Sequence, residues 1–260
     1  VDRTAALALP ALLALFAGCA SSPVAPASPP LPAEAWPWGI EGCAFVIAMA
    51  PVDAQRLQQH LPEGFQPAQA GQAEVHFDAY DCRGATGPGG GDLGPTQYGS
   101  VYVPVSVPAP LKVPGYGLYF LKTDFLVPDD GVRALFLGHG FPAWDGRVSI
   151  DASAAGAAWQ VSSDLGDGGG FAFTGAAGPA SPQQAPLPFV EYTPLAGGGL
   201  ARWHARLHDA SIASGRGLLR VQGGWAEDVV GAGPVPASFI AGMWNLDEAG
   251  VEFPVPWPAA

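Results

Sequence analysis

Hydrophobic residues along this chain fall into short runs, many of them alternating with polar ones, punctuated by glycine and proline. Cys43–Ala50 (CAFVIAMA) is a continuous apolar run of strand length, as a strand buried on both faces would be. Glu74–Cys82 (EVHFDAYDC) alternates strictly. That places Glu74, His76, Asp78, Tyr80 and Cys82 on one face, with Val75, Phe77 and Ala79 on the other. Tyr98–Val107, Tyr116–Val127 and Ala134–Leu137 continue the strand pattern. It resumes in 147–153, 157–162, 170–174, 200–208, 217–223, 239–245 and 251–253. One segment reads as a helix: Asp53 caps it, Leu57 and Leu61 stand i, i+4, and Pro62 with Gly64 ends it. Short strands with Gly/Pro turns predict a mainly β sandwich or barrel.

The first residues carry a different pattern. Val1–Cys19 is a short polar head with Arg3, an apolar run from Ala5 to Phe16, and Ala17-Gly18-Cys19. The run of about 12 residues suits a signal-peptide core and is too short for a membrane span. Its ending resembles the bacterial lipoprotein box, although Phe16 replaces the usual leucine. The resemblance implies cleavage before Cys19, acylation of Cys19, and a lipid-anchored envelope protein. In a host with two membranes it implies the outer one, facing periplasm or cell surface, because Ala20 rather than Asp follows the cysteine. The expected organisation is a signal peptide over 1–18, a Pro/Ala/Ser-rich tether over 19–35 and one domain over 36–260. A tether of that composition has too little apolar surface to order itself.

Composition then narrows the function classes. Of 260 residues 48% are hydrophobic, enough for a substantial core, and 36 glycines and 28 prolines favour turns over helices. The net charge is −12 and the only lysines are Lys112 and Lys122. An acidic chain with no basic stripe argues against nucleic acid as a partner. With Cys19 assigned to lipid, Cys43 and Cys82 remain as a candidate disulfide for an oxidising compartment.

Three motifs in order point further. Asp53 leads to Leu61-Pro62-Glu63-Gly64-Phe65, Leu93-Gly94 precedes Val103-Pro104-Val105, and Gly138-His139-Gly140-Phe141-Pro142 follows; Glu227–Gly231 running to Phe239 fits as late strands. Together they resemble the acetoacetate decarboxylase family over roughly residues 40–255. The resemblance implies a closed or partly open antiparallel β-barrel with one or two short helices, around a pocket. In that family a lysine amine condenses with a substrate ketone, and the iminium takes up the electrons of the breaking bond. The lysine pair after the aromatic-proline step falls here on Ala143 and Trp144. One family acid falls on Tyr98, a second is kept as Asp78, and the first-strand arginine falls on Cys43. Neither Ala143 nor Trp144 forms an imine, so the family's Schiff-base route is not expected. Lys122 is no substitute on this reading, because alternation groups it with Phe120 and Asp124 on a solvated face.

The expected function is therefore binding of a small apolar or weakly polar molecule in a pocket lined by His76, Asp78, Tyr80, Tyr98, Ala143 and Trp144. An alternative is a lysine-independent lyase or hydrolase using Asp78 and His76 as acid and base, which requires the two to share an enclosed cavity. A further alternative is a structural lipoprotein whose pocket is filled. No cofactor or metal is expected: Glu74, His76 and Asp78 share one strand face without a second ligand cluster. His204 and His208 read as a solvated strand face with Arg202 and Arg206. Asp164–Gly170 reads as a hairpin turn, and Gly87–Gly91 lacks the Gly-Lys-Ser/Thr of a phosphate loop. The oligomeric state is not legible.

Overall fold

The computed structural model describes residues 38–69, 73–87, 91–152, 158–165, 170–183 and 187–255. The signal, lipid-anchor and tether readings on 1–35 fall outside them, as do the tips of the 88–90 and 166–169 loops.

The chain is built mostly from strands. In order they are β1 (Trp38–Val52), β2 (Gln66–Pro67), β3 (Ala73–Cys82), β4 (Gly84–Thr86), β5 (Thr96–Ser106), β6 (Tyr119–Leu126) and β7 (Ala143–Trp144). There follow β8 (Gly146–Ala152), β9 (Ala158–Leu165), β10 (Gly170–Ala177), β11 (Ser181–Pro182), β12 (Leu187–Pro194), β13 (Leu200–Gln222) and β14 (Val235–Val255). Among the described residues three short α-helices interrupt them: α1 (Ala54–Gln58), α2 (Asp130–Gly138) and α3 (Gly224–Val230). The expected cap of α1 is present, with Asp53 accepting from the backbone N–H groups of Gln55 and Arg56.

Neighbouring strands run β12-β6-β5-β3-β1-β14-β13, and β13 pairs back to β12, so seven strands close a ring. The seam is short: β12 meets β6 in parallel only at Val190–Tyr192. β10, β9 and β8 extend from β13 as an antiparallel flap. The sheet is thus mainly antiparallel, with parallel pairings at β12–β6 and β6–β7.

Alternation along the ring strands produces two cores. Phe45, Ile47, Tyr80, Tyr98, Tyr102, Phe125, Trp203 and Trp244 pack inside the ring, closed at one end by Phe136 of α2 and by Phe141. Val46, Ala48, Val75, Phe77, Val101, Leu121, Val190 and Phe239 face outward, where Val148, Phe171 and Phe173 of the flap and Leu57 of α1 cover them. Buried on both faces, β1 reads as an unbroken apolar run. Cys43 and Cys82 stand opposite one another on β1 and β3 and form a disulfide.

Several local expectations are corrected. Residues 134–137 are helical: Asp129 caps α2 through the Val132 N–H, and Val132 and Phe136 share one buried face at i, i+4. The stretch Glu227–Val230, expected as part of a strand, lies in α3. The two segments expected at 200–208 and 217–223 are one strand of 23 residues; its register shifts beside Asp209, whose φ of 49° is left-handed. β12, which carries Pro188 and Pro194, is a strand that the hydrophobic pattern does not predict. His204 is buried rather than solvated, packed edge-on to Tyr116 at 5.5 Å, and burial followed by the Arg202 charge lowers its pKa to about 4.

Candidate functional site

The inward face of β3 presents His76, Asp78 and Tyr80 as its alternation requires. Asp78 is 1% exposed. It accepts from Tyr80 Oη at 2.8 Å and from Ser100 Oγ of β5 at 2.7 Å. Burial raises its pKa to about 6; the Lys122 charge and the two hydroxyl donors offset part of that rise, and Glu191 adds to it. Burial also holds the Tyr80 and Tyr102 phenols well above their usual range, so both remain protonated donors. His76 is buried too, with Nε2 3.2 Å from Glu74 Oε2 and its ring edge-on to Tyr102 at 5.0 Å. Asp78 and His76 therefore share the enclosed interior.

The largest departure from expectation is Lys122. It is 5% exposed, inside the ring, with Nζ 2.7 Å from Glu191 Oε2 of β12 and 5.2 Å from the centre of the Phe125 ring. A β-bulge causes this. Tyr102 pairs with Lys122 while Val101 pairs with Asp124, so Thr123 is an extra residue in β6, and its hydroxyl donates to the Val101 carbonyl at 3.1 Å. The bulge resets the alternation: Phe120 and Lys122 face in, then Phe125, while Asp124 turns out. A solvated-face reading of Lys122 holds only for an unbroken strand.

Beside Lys122 and Glu191 lies a cavity of about 20 Å³, lined also by Thr96, Tyr98, Phe125, Phe136 and Trp203; of the residues expected to line a pocket, Tyr98 reaches it, and His76, Asp78, Tyr80, Ala143 and Trp144 do not. The remaining interior is filled by rings. Phe45 stacks on Trp244 at 3.8 Å, Trp244 on Tyr80 at 5.3 Å, and Tyr80 on Tyr98 at 4.4 Å.

Of the residues expected to line the pocket, His76, Asp78, Tyr80 and Tyr98 are brought together. Ala143 also faces the interior, opposite Phe125 in the β6–β7 register. Trp144 does not. It is 42% exposed on the outer wall, where its indole donates to Asp124 Oδ1 at 3.0 Å. Adjacent strand residues face opposite sides, so an inward Ala143 forces Trp144 outward. Sequence reasoning puts Lys122 on the wrong face and misses Glu191 and Ser100. For Glu191 a signal exists: Leu187, Phe189, Glu191 and Thr193 alternate with Val190 and Tyr192. Among the described residues no three potential metal ligands cluster.

No protein-family model matches the sequence, and no curated protein matches it significantly. The fold does match solved structures. Acetoacetate decarboxylase from Legionella pneumophila aligns with a TM-score of 0.57 at 15% identity, covering 88% of this chain and 94% of that one. The enduracididine biosynthesis enzyme MppR, complexed with pyruvate, aligns at 0.56 and 12% identity over 89% of this chain and 98% of its own. An acetoacetate decarboxylase-like enzyme from Sphingomonas wittichii aligns at 0.54 and 12% identity over 89% and 97%. The chain has the acetoacetate decarboxylase-like fold.

Proposed function

We propose that the ring interior takes up a small keto acid and that Lys122 is the amine that condenses with its carbonyl. The observation that carries this reading is a buried lysine beside a cavity, with Glu191 at 2.7 Å and Asp78, its pKa near 6, within electrostatic reach. The amine stands on β6, next to the β7 strand where the family places its lysine and where this chain carries the buried Ala143.

The chemistry follows from the residues. Lys122 passes a proton to Glu191 along the 2.7 Å contact and adds, neutral, to the ketone carbon. Loss of the carbonyl oxygen as water leaves a protonated imine. With a 3-keto acid the C–C bond to the carboxylate then breaks, releasing carbon dioxide, and its electron pair forms an enamine. Protonation at carbon and hydrolysis return the amine. Asp78, which exchanges protons near neutral pH, is the group suited to the carbon proton transfers. MppR has been solved with pyruvate, which sets the choice of probe.

The test is proton exchange. In D2O the methyl protons of pyruvate should exchange faster with the protein than without it, followed by proton NMR, and Lys122→Ala should abolish the effect. Exchange unaffected by the protein removes the enzyme reading, and exchange unaffected by Lys122→Ala removes Lys122 as its amine. A second reading rests on the small cavity: about 20 Å³ holds roughly one water, so a keto acid enters only if a wall residue such as Phe136 or Trp203 moves. If it never does, the ring is a filled scaffold and Lys122–Glu191 a structural ion pair. Asp78 and His76, enclosed together, also support lysine-independent acid–base chemistry; activity surviving in Lys122→Ala and lost in Asp78→Asn would select it.

We further propose that the protein is an envelope lipoprotein anchored through Cys19. The Cys43–Cys82 disulfide supports an oxidising compartment. Metabolic labelling with a radioactive fatty acid should mark the wild type and not Cys19→Ala; equal labelling of both, or of neither, refutes the anchor.

A further inference from the structure

We infer that Asp124, held by the indoles of Trp144 and Trp225, is the positioning residue that keeps Lys122 inside the ring. The inference concerns the site proposed above, although its first test does not depend on any chemistry there.

The starting point is the choice β6 must make. In an unbroken strand Lys122 and Asp124 share a face, so one of two charged groups would enter the apolar interior only if the other did. The bulge at Thr123 separates them, but a bulge shifts by one residue unless something fixes its place. The Thr123 hydroxyl contact with the Val101 carbonyl is a single neutral hydrogen bond. Asp124 is fixed far more firmly. Trp144 Nε1 donates to Oδ1 at 3.0 Å and Trp225 Nε1 donates to Oδ2 at 3.0 Å. Both carboxylate oxygens are thus engaged, one from β7 and one from α3, and both bonds end on a charged acceptor. With Asp124 pinned outward, the residue two positions before it across the bulge points inward, and that residue is Lys122.

The clamp also gives the Ala143-Trp144 pair a physical reason. Ala143 is buried opposite Phe125 and takes little room inside; Trp144 is an exposed indole on the far side of the same strand. An exposed tryptophan gains little from burial, and its hydrogen bond to Asp124 accounts for its presence. Trp225 is tied into the same surface, its ring 5.8 Å from that of His60.

Trace acetylation of native protein, read by peptide mass spectrometry, tests the clamp, with the exposed Lys112 as reference in the same sample. In wild type, Lys122 should be strongly protected relative to Lys112. In Asp124→Ala and in Trp144→Phe/Trp225→Phe, the Lys122-to-Lys112 ratio should rise at least about tenfold, because hydrogen bonds to a charged group carry at least that bias. Trp144→Phe and Asp124→Asn, which each keep part of the clamp and should stay folded, should give intermediate rises. Lys122 remaining as protected as in wild type in folded Trp144→Phe and Asp124→Asn overturns the inference. Pyruvate exchange supplies a separate readout: it should fall in step with the labelling rise. Should wild type show no exchange, the proposed chemistry fails while the labelling ratio still decides the clamp.

Discussion

Replacing Asp78 by asparagine should remove a pH dependence of stability that the buried carboxyl imposes. The carboxyl ordinarily titrates at 3.8 and inside the ring at about 6. Its folded value is raised, so the folded state holds the proton more tightly than the unfolded chain does. Below about pH 4 both states are protonated and nothing is lost; between about pH 4 and 6 the unfolded chain ionises first and stability falls; above pH 6 the full penalty remains. At 1.36 kcal/mol per pKa unit, the separation amounts to about 3 kcal/mol. Asparagine keeps a carbonyl oxygen for the Ser100 hydroxyl, and the Tyr80 hydroxyl can turn to accept from the new amide. Urea unfolding of wild type and Asp78→Asn from pH 4 to pH 7 isolates the effect, since other titrating groups are common to both. Asp78→Asn should gain on the wild type by about 3 kcal/mol across that interval, with the change centred between 4 and 6. A difference that stays constant with pH, or that turns against Asp78→Asn as pH rises, refutes the assignment.

Breaking the buried ion pair should be costly: Glu191→Gln leaves the Lys122 charge inside the ring and should destabilise by about 3–5 kcal/mol at neutral pH in denaturant unfolding. The double variant Lys122→Met/Glu191→Leu should recover most of that loss; equal instability of single and double variants contradicts the pairing. Reducing the disulfide, or Cys43→Ala/Cys82→Ala, frees a connection across 39 residues and should cost about 4 kcal/mol by chain entropy, visible as a lower urea midpoint under reducing conditions. An unchanged midpoint argues that the bridge does not form in the native protein.

Much of this architecture is legible in the residues, and the exceptions share a physical cause. The alternation of β3 places His76, Asp78 and Tyr80 on one face correctly because that strand has no bulge before Cys82. The same rule applied to β6 fails at Thr123, since one inserted residue inverts every side chain after it and leaves no mark in composition. β12 escapes notice because Pro188 and Pro194 read as strand breakers. Both lie outside the three-residue parallel ladder with β6, so neither removes a hydrogen bond at the seam. Glu191, and with it the ion pair, was hidden for that reason. The run at 134–137 reads as a strand because four apolar residues fit strand and helix alike, and only the Asp129 cap distinguishes them. For Trp144 the information was available: two consecutive residues of one strand do not both line the same pocket.

The proposal that Lys122 has taken over as the reactive amine is tested most directly by trapping. The mature protein is incubated with pyruvate or acetoacetate and cyanoborohydride, digested, and mapped by mass spectrometry. The reduced adduct is predicted on the peptide holding Lys122 and absent from Lys122→Ala, with Asp124→Ala trapping more slowly than wild type. An adduct confined to Lys112 or the terminal amine, or no adduct at all while the protein is folded, contradicts it.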